Sequence, residues 1–351
     1  RGLGDVYKRQ IYLSSRLLPG HRRVLFATTA MMKTAVTPRE ITTAPRKSDV
    51  LFRGVLTSMS MSSLLILTLI GGFLSYRGFQ TFKDQGLHFI TQWDWSAAQD
   101  ASQKDSFGLG AMIIGTLVIA IVALILGVPI SVLSALYLTF YAPERAKKFL
   151  NALVDLMASF PSILYGLWGF IVLMPMAEKW ASFINQYFGW IPVFKVPSPA
   201  FTRSPFIAGL VLAIMIVPIV TSVSREIFGQ TPLDRIQAAY ALGATRWAMI
   251  RAVVLPFGSS GVVGGAMLGL GRALGETVAV YSVLNIVFKP NWQVLYGFGG
   301  NVASMIVQKW GEASLSESKA LLAAGFVLFV LTLVVNLAAN AIVRKTVKTG
   351  R

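Results

Sequence analysis

Long apolar runs free of charge dominate the chain, and their length predicts helices that cross a bilayer. At 1.5 Å per residue, about 20 residues span the hydrocarbon. Such runs cover Gly54 to Tyr76, enclosed by Arg53 and Arg77, then Ser106 to Pro143, Leu156 to Pro175, Ser204 to Ser224 and Ala320 to Val343. Another, from Ala252 to Phe288, is interrupted only by Arg272 and Glu276. The third run is expected to begin near Leu150 and to take in Asp155. Residues 180–194 are also charge-free but short, so they read as an interfacial or re-entrant piece rather than a seventh span. Residues 290–308 are a second ambiguous segment of this kind. The pattern predicts an all-α, polytopic membrane protein with six transmembrane helices.

Ahead of the first span, residues 1–50 are polar and basic without a sustained period, and they read as a disordered cytoplasmic tail. The membrane domain is then 51–348. The first methionines are Met31 and Met32, so residues 1–30 are read as an extension outside the working protein. The first apolar run comes too late and is too long for a signal peptide.

Composition supports the bilayer reading: 54% of the residues are hydrophobic and only 13% charged, where soluble domains carry about a quarter charged residues. The net charge of +17 is therefore not read as nucleic-acid binding. With no cysteine, and with only His21 and His88, far apart, thiolate and histidine metal clusters and Ser–His pairs have nothing to build on. No catalytic residue, metal or cofactor is expected. Gly258-Ser259-Ser260-Gly261 alone hints at a hydrolase, and it reads better as a helix start and packing feature.

Charge also orients the chain. With both termini in the cytoplasm, 22 Lys and Arg fall on that side and nine on the other, with Arg272 left inside a span. This is the bias that cytoplasmic flanks show. Trp93, Trp95, Trp180, Tyr187 and Trp190 then sit near the outer interface, where aromatic residues concentrate.

Arg272 and Glu276, four residues apart, are expected on one helical face, within pairing distance and toward the middle of the fifth span. Buried ionisable groups cost a few kcal/mol on insertion scales and usually face a bundle interior or a solute path. Two uses stay open: an ion pair that fixes helix packing, or a path for an anion that competes for the guanidinium. Asp155 is able to join either arrangement, or to be hydrated near a helix end. Among the 32 cations only Arg272 is a candidate for reading the solute. Gly261, Gly265 and Gly269, with Gly271 and Gly275, have the small-residue spacing of close helix crossings, within the chain or between two permeases. Pro129, Pro161 and Pro218 are expected at kinks or span ends.

Between the fourth and fifth spans, residues 225–256 are long enough to hold structure. Thr231 is placed to cap a short helix that begins at Pro232, and Gly243 to end it; a second helical stretch runs from Ala244 to Leu255. From composition alone this is an amphipathic connector held on the headgroups by Arg235, Arg246 and Trp247. Gln237-Ala238-Ala239, then Gly243 after three residues, then Val253-x-Leu255-Pro256 after nine more, resembles the Glu-Ala-Ala loop of ABC importer permeases. Gln237 stands for the usual Glu, and Val253 for the usual Ile. The resemblance implies a type I importer permease fold and a coupling helix, with Gln237, Ala238, Ala239 and Gly243 at the ATPase contact. No Gly-Lys dipeptide is present to form a phosphate-cradling Walker loop, so a separate ATPase chain is implied.

Gly269-Leu-Gly-Arg-Ala-Leu-Gly-Glu-Thr-Val-Ala-Val280 narrows the likeness: it resembles the signature of the phosphate-specific importer permeases of the PstC/PstA family, with Val278 where Met is common. Phe160-Pro161, Tyr165-Gly-Leu-Trp-Gly-Phe170, Gly311-Glu312-Ala313 and Leu322 to Asn336 resemble the PstC branch in particular. The likeness covers residues 50 to 348. It implies a solute path through Arg272, Glu276 and Thr277, in the bacterial cytoplasmic membrane. It also implies a PstA-like second permease, two PstB-like ATP-binding subunits and a PstS-like extracytoplasmic binding protein as partners, besides membrane lipid. Permeases for molybdate or sulfate, and a gated anion channel, are the competing readings.

Overall fold

The structure, a computed structural model, describes residues 47–97 and 105–349, the last eight through their backbone alone. Residues 1–46, and with them nearly all of the expected tail, lie outside the described residues. The chain divides into two compact units, residues 1–65 and 66–351. Helix α1 (Lys47–Gln85) begins in the first unit, where every described residue is exposed.

Within the second unit, α1 leads through a short helix, α2 (His88–Thr91), and a two-stranded antiparallel ribbon, β1 (Trp95–Ser96) and β2 (Ser106–Phe107). Then come α3 (Gly110–Leu136), α4 (Glu144–Ser159), α5 (Ser162–Trp168) and α6 (Met174–Phe188). After these follow α7 (Pro205–Gly229), α8 (Leu233–Ala241), α9 (Arg246–Met249), α10 (Leu255–Gly275), α11 (Val278–Val283), α12 (Val302–Trp310) and α13 (Leu315–Thr349). Six helical stretches among the described residues are long and apolar enough to cross a membrane: Lys47–Gln85, Gly110–Tyr141, Ser162–Phe188, Pro205–Gly229, Arg246–Gly275 and Leu315–Ala341.

The expected count of six spans agrees, while two boundaries move. The third span starts at Ser162 rather than near Leu150 and runs on to Phe188, absorbing much of the segment read as interfacial. Its expected beginning is a separate amphipathic helix, α4, because Phe160-Pro161 are extended and break the ladder. The fifth span ends at Gly275, not near Phe288. Residues beyond α11 form an irregular loop tied by a bridge between Ile286 and Gly299 and by Asn291, whose Nδ2 donates to the carbonyls of Tyr296 and Phe298.

Three π-helical turns, Tyr137–Tyr141, Gly169–Leu173 and Ile250–Val254, share one cause. Each ends two residues before a proline: Pro143, Pro175 and Pro256. Proline has no N–H and its ring crowds the carbonyl four residues back. Accordingly Ala142, Met174 and Leu255, the residues before the prolines, donate to carbonyls five residues back, at Tyr137, Gly169 and Ile250. In the second and third cases the widened turn keeps one helix continuous through a proline.

The core centres on α7. Its Ile207, Val211, Leu212, Met215 and Ile216 are buried against α3, α10 and α11. Gly127 of α3 meets Ile216, two residues from both Pro129 and Pro218, and Gly209 of α7 meets Val122 further along, so the two helices approach closely at both points. The Ser131 hydroxyl lies 2.6 Å from the Gly127 carbonyl and 3.2 Å from that of Val217, and Thr221 donates to the Ser131 carbonyl at 3.3 Å. On α10, Gly258 and Gly261 fit against Phe228 and Ile227, Gly265 against Val223, and Gly269 against Val220 and Ile216. Of the expected small-residue positions, Gly261, Gly265 and Gly269 are thus consumed inside the chain, where they let α10 lie on α7, whereas Gly271 meets only Asn336, at 4.0 Å, and Gly275 has open space around it. The Ser259 hydroxyl bonds its own helix, at the Pro256 carbonyl.

Replacing Gly261 with Val drives a side chain into Ile227 and is expected to cost about 1–3 kcal/mol by overpacking. Gly264, with open space around it, serves as the control. Thermal denaturation of both variants in detergent should lower the midpoint for Gly261→Val only.

Candidate functional site

The fifth span breaks at the residues that the sequence singles out. Helix α10 ends at Gly275, Glu276 is extended (φ −70°, ψ 128°), and α11 starts at Val278 after Thr277. Arg272 and Glu276 therefore do not share a helical face, and no ion pair joins them. Glu276 is 8% exposed and turns its carboxylate forward instead, accepting the Ala279 N–H at 3.3 Å and so capping α11. Its backbone carbonyl accepts from Asn301 Nδ2 at 2.7 Å. Asn301, 1% exposed, accepts the Ser304 N–H through its Oδ1 at 2.9 Å and caps α12. Beside it, Thr116 of α3 donates to the Met112 carbonyl at 2.6 Å and accepts the Val302 N–H at 3.0 Å.

Arg272 is left without its expected partner. Its Nε is buried and unbonded, and the guanidinium lies within electrostatic reach of Tyr165 on α5. The Tyr165 hydroxyl itself donates to the Met157 carbonyl at 2.7 Å. Because Gly269, three residues before Arg272, rests on Ile216 and Val220 midway along α7, the half-buried arginine stands toward the middle of the span. An arginine with unfilled donors at such depth is suited to an oxyanion. Thr277 forms the N-terminal flank of α11, its carbonyl accepting the Tyr281 N–H at 2.9 Å.

Asp155 lies apart from this arrangement. On α4 it accepts from Ser222 at 3.1 Å and pairs with Arg225 at 3.4 Å, both near the end of α7. Its side chain is 59% exposed, so the pair is worth about 0–1 kcal/mol.

The loop after α7 folds largely as the spacing predicts. Gly243 adopts φ +81°, a conformation that favours glycine, and α8 stops there. Two details differ. Thr231 is buried with its hydroxyl unbonded and does not cap α8, whose cap position is taken by Pro232. The cap that forms belongs to Thr245, which accepts the Ala248 N–H at 3.3 Å and starts α9. The two alanines also part: Ala239, with Ile236 and Ala244, packs toward Phe228, Met249 and Ile250, while Gln237 and Ala238 face outward. Leu233, Leu242 and Trp247 are exposed on the same loop. Sequence reasoning missed Asn301 and Thr245, although each stands three residues before the amide it caps, a signal that was there to read.

A six-span helical bundle with an unpaired arginine at a broken span and an exposed helical loop at one end defines a multi-pass membrane permease. Residues 127–348 match the family described as "Binding-protein-dependent transport system inner membrane component". The chain is 42% identical over 300 residues to the phosphate transport system permease protein PstC 2 of Mycobacterium tuberculosis, covering 85% of this chain and 92% of that protein. It is 36% identical over 310 residues to PstC of Pasteurella multocida, covering 86% and 94%. A chain of a bacterial alginate ABC transporter superposes with a TM-score of 0.56 at 17% identity, over 86% of this chain and 98% of that one, and shares the fold. The chain therefore belongs to the family of inner-membrane components of binding-protein-dependent transport systems, in the PstC branch of ABC importer permeases.

Asn301 serves two buried backbone groups at once, and leaving each unsatisfied costs about 1–3 kcal/mol. Asn301→Leu should lower the thermal midpoint in detergent, and Asn301→Asp, which keeps the cap on Ser304 but loses the donor to Glu276, should fall between it and the parent.

Proposed function

We propose that this chain carries inorganic phosphate across the bacterial cytoplasmic membrane as one of two permease subunits of an ATP-driven importer. The observation that carries the reading is the buried, unbonded Arg272 Nε beside a break in the fifth span, in a chain 42% identical to phosphate permeases. The guanidinium offers planar donors to a tetrahedral oxyanion, while Glu276 and Thr277 shape the turn on which the anion passes. Glu276 acts by holding the break open rather than by pairing with Arg272. Transport is by alternating access: the path through the arginine opens to one side of the membrane at a time.

The chain has no ATP-binding loop, so hydrolysis belongs to partner chains, two PstB-like subunits. A PstA-like permease completes the pair, and a PstS-like protein delivers phosphate from outside. Both termini and α8 lie in the cytoplasm, as the Lys and Arg count supports. There Gln237 and Ala238, with Leu233, Leu242 and Trp247, form the exposed face of α8 and its flanks. That face combines exposed apolar side chains with a polar Gln237 and presents a small residue, which suits a helix that seats in a groove of the ATPase. Ala239 and Gly243 serve it from behind, by packing and by the turn.

Arg272→Gln is expected to abolish uptake of radiolabelled phosphate in whole cells while leaving the amount of assembled transporter unchanged; normal uptake would refute the assignment. Uptake that unlabelled molybdate or sulfate suppresses better than phosphate would reassign the solute. Ala238→Trp should uncouple transport by disturbing the contact with the ATPase, read as lost co-purification, whereas Ala239→Trp should also lower thermal stability of the isolated chain.

A further inference from the structure

Another arginine with no carboxylate partner among the described residues stands at the opposite end of α7 from the α8 loop. Arg203 precedes α7 and has φ 54°, the one residue other than glycine with positive φ among the described residues. Such backbone positions persist only where the surroundings hold them, and they gather at functional sites. The Arg203 guanidinium is placed from two sides. It donates through one nitrogen to Asn285 Oδ1 and lies 5.2 Å from the centre of the Phe170 ring. Its remaining donors have no acceptor among the described residues.

These groups line a cavity of about 330 Å³ that also receives Tyr281, Ser282 and Gln308 and no carboxylate. The contrast with its neighbour is informative. A cavity of about 370 Å³ shares Ile286 and Gln308 with it, but there Lys309 is neutralised by Glu317 at 3.2 Å, and Glu312 adds a further negative charge. Of the two, only the Arg203 cavity keeps an uncompensated positive charge.

The same two helices, α5 and α11, border both this cavity and the break. Tyr281 and Ser282 lie on α11, whose other end is the break at Glu276 and Thr277. Helix α5 runs alongside: Tyr165 stands near Arg272, Gly166 fits against Ala279 and Ser282, and Leu167 reaches the cavity. The α5–α11 pair therefore carries one unpaired arginine at each end, separated by roughly 15 Å at 1.5 Å per residue along α7.

The geometry points to the Arg203 cavity as an outer loading station for the transported oxyanion, which engages Arg203, Ser282, Asn285 and Gln308 before passing along α11 to Arg272. This rests on the reading of the chain as an oxyanion permease and adds a second binding position to it. A fork of charged donors in a cleft of this size concentrates anions and orients them, and Asn285 and Gln308 supply neutral groups able to accept from a protonated oxyanion.

The test is protection from an arginine-specific reagent. The full transporter in lipid nanodiscs is treated with phenylglyoxal, and modification at Arg203 is followed by peptide mass spectrometry in inorganic phosphate and in chloride of equal ionic strength. Phosphate should slow modification of Arg203 severalfold, and should still do so in Arg272→Gln, where uptake is lost. Arg203→Gln should lower the uptake rate most at limiting phosphate, with partial recovery in Arg203→Lys. If no oxyanion protects Arg203 while Arg272→Gln still abolishes phosphate uptake, the loading station is overturned and the phosphate reading stands. If sulfate or molybdate protects and phosphate does not, the station stands and the phosphate reading falls.

Discussion

The constraint on which the molecule turns is that a backbone broken inside a membrane must find internal partners for the groups it frees. Lipid offers none, and each unsatisfied group costs several kcal/mol. The break between Gly275 and Val278 meets this requirement with two side chains, Glu276 and Asn301, and Thr116 extends the same network to α3. Every element nearby depends on it. The break ends α10 one turn past Arg272, starts α11, and docks α12 against the core. It also explains why the arginine is unpaired: the carboxylate four residues away is committed to the backbone.

A second constraint, close approach of helices without a hydrophobic drive between them, is met by glycines on α10 and by Gly127 and Gly209 where α3 and α7 cross. These contacts hold α10 rigidly on α7 and so fix the depth of Arg272. Prolines weaken long helices, but in the π-helical turns before Pro175 and Pro256 the residue ahead of each proline donates to a carbonyl five residues back and the helix continues. The fifth span thus runs as one continuous helical stretch from the α8 loop to Arg272.

The spans, their number and the Gly243 turn were legible in the amino-acid sequence because each follows from a local rule: twenty apolar residues cross a bilayer, and a left-handed turn wants glycine. Apolar length could not say where a span stops. Phe160-Pro161 and Glu276-Thr277 both interrupt helices inside apolar stretches, so the third span was placed too early and the fifth was drawn too long. The same limitation split Ala238 from Ala239, since two neighbouring alanines on a nine-residue helix have to face different ways.

What the sequence determined alone is the solvent in which this chain folds, its family and the residues that carry unusual charge. Charge, length and motif spacing are properties of the chain taken in order. The partners of those charges were decided only by tertiary structure: Glu276 with Ala279, Asp155 with Arg225, and neither with Arg272. Arg203 shows the same division most plainly. In the sequence it is one of nine cations read as lying on the outer side, and only the folding of α5, α11 and the 284–301 loop around it surrounds that charge with neutral groups and leaves it without a carboxylate among the described residues. Pairing is set by three-dimensional distance, which helix breaks rearrange and which residue spacing along the chain does not record.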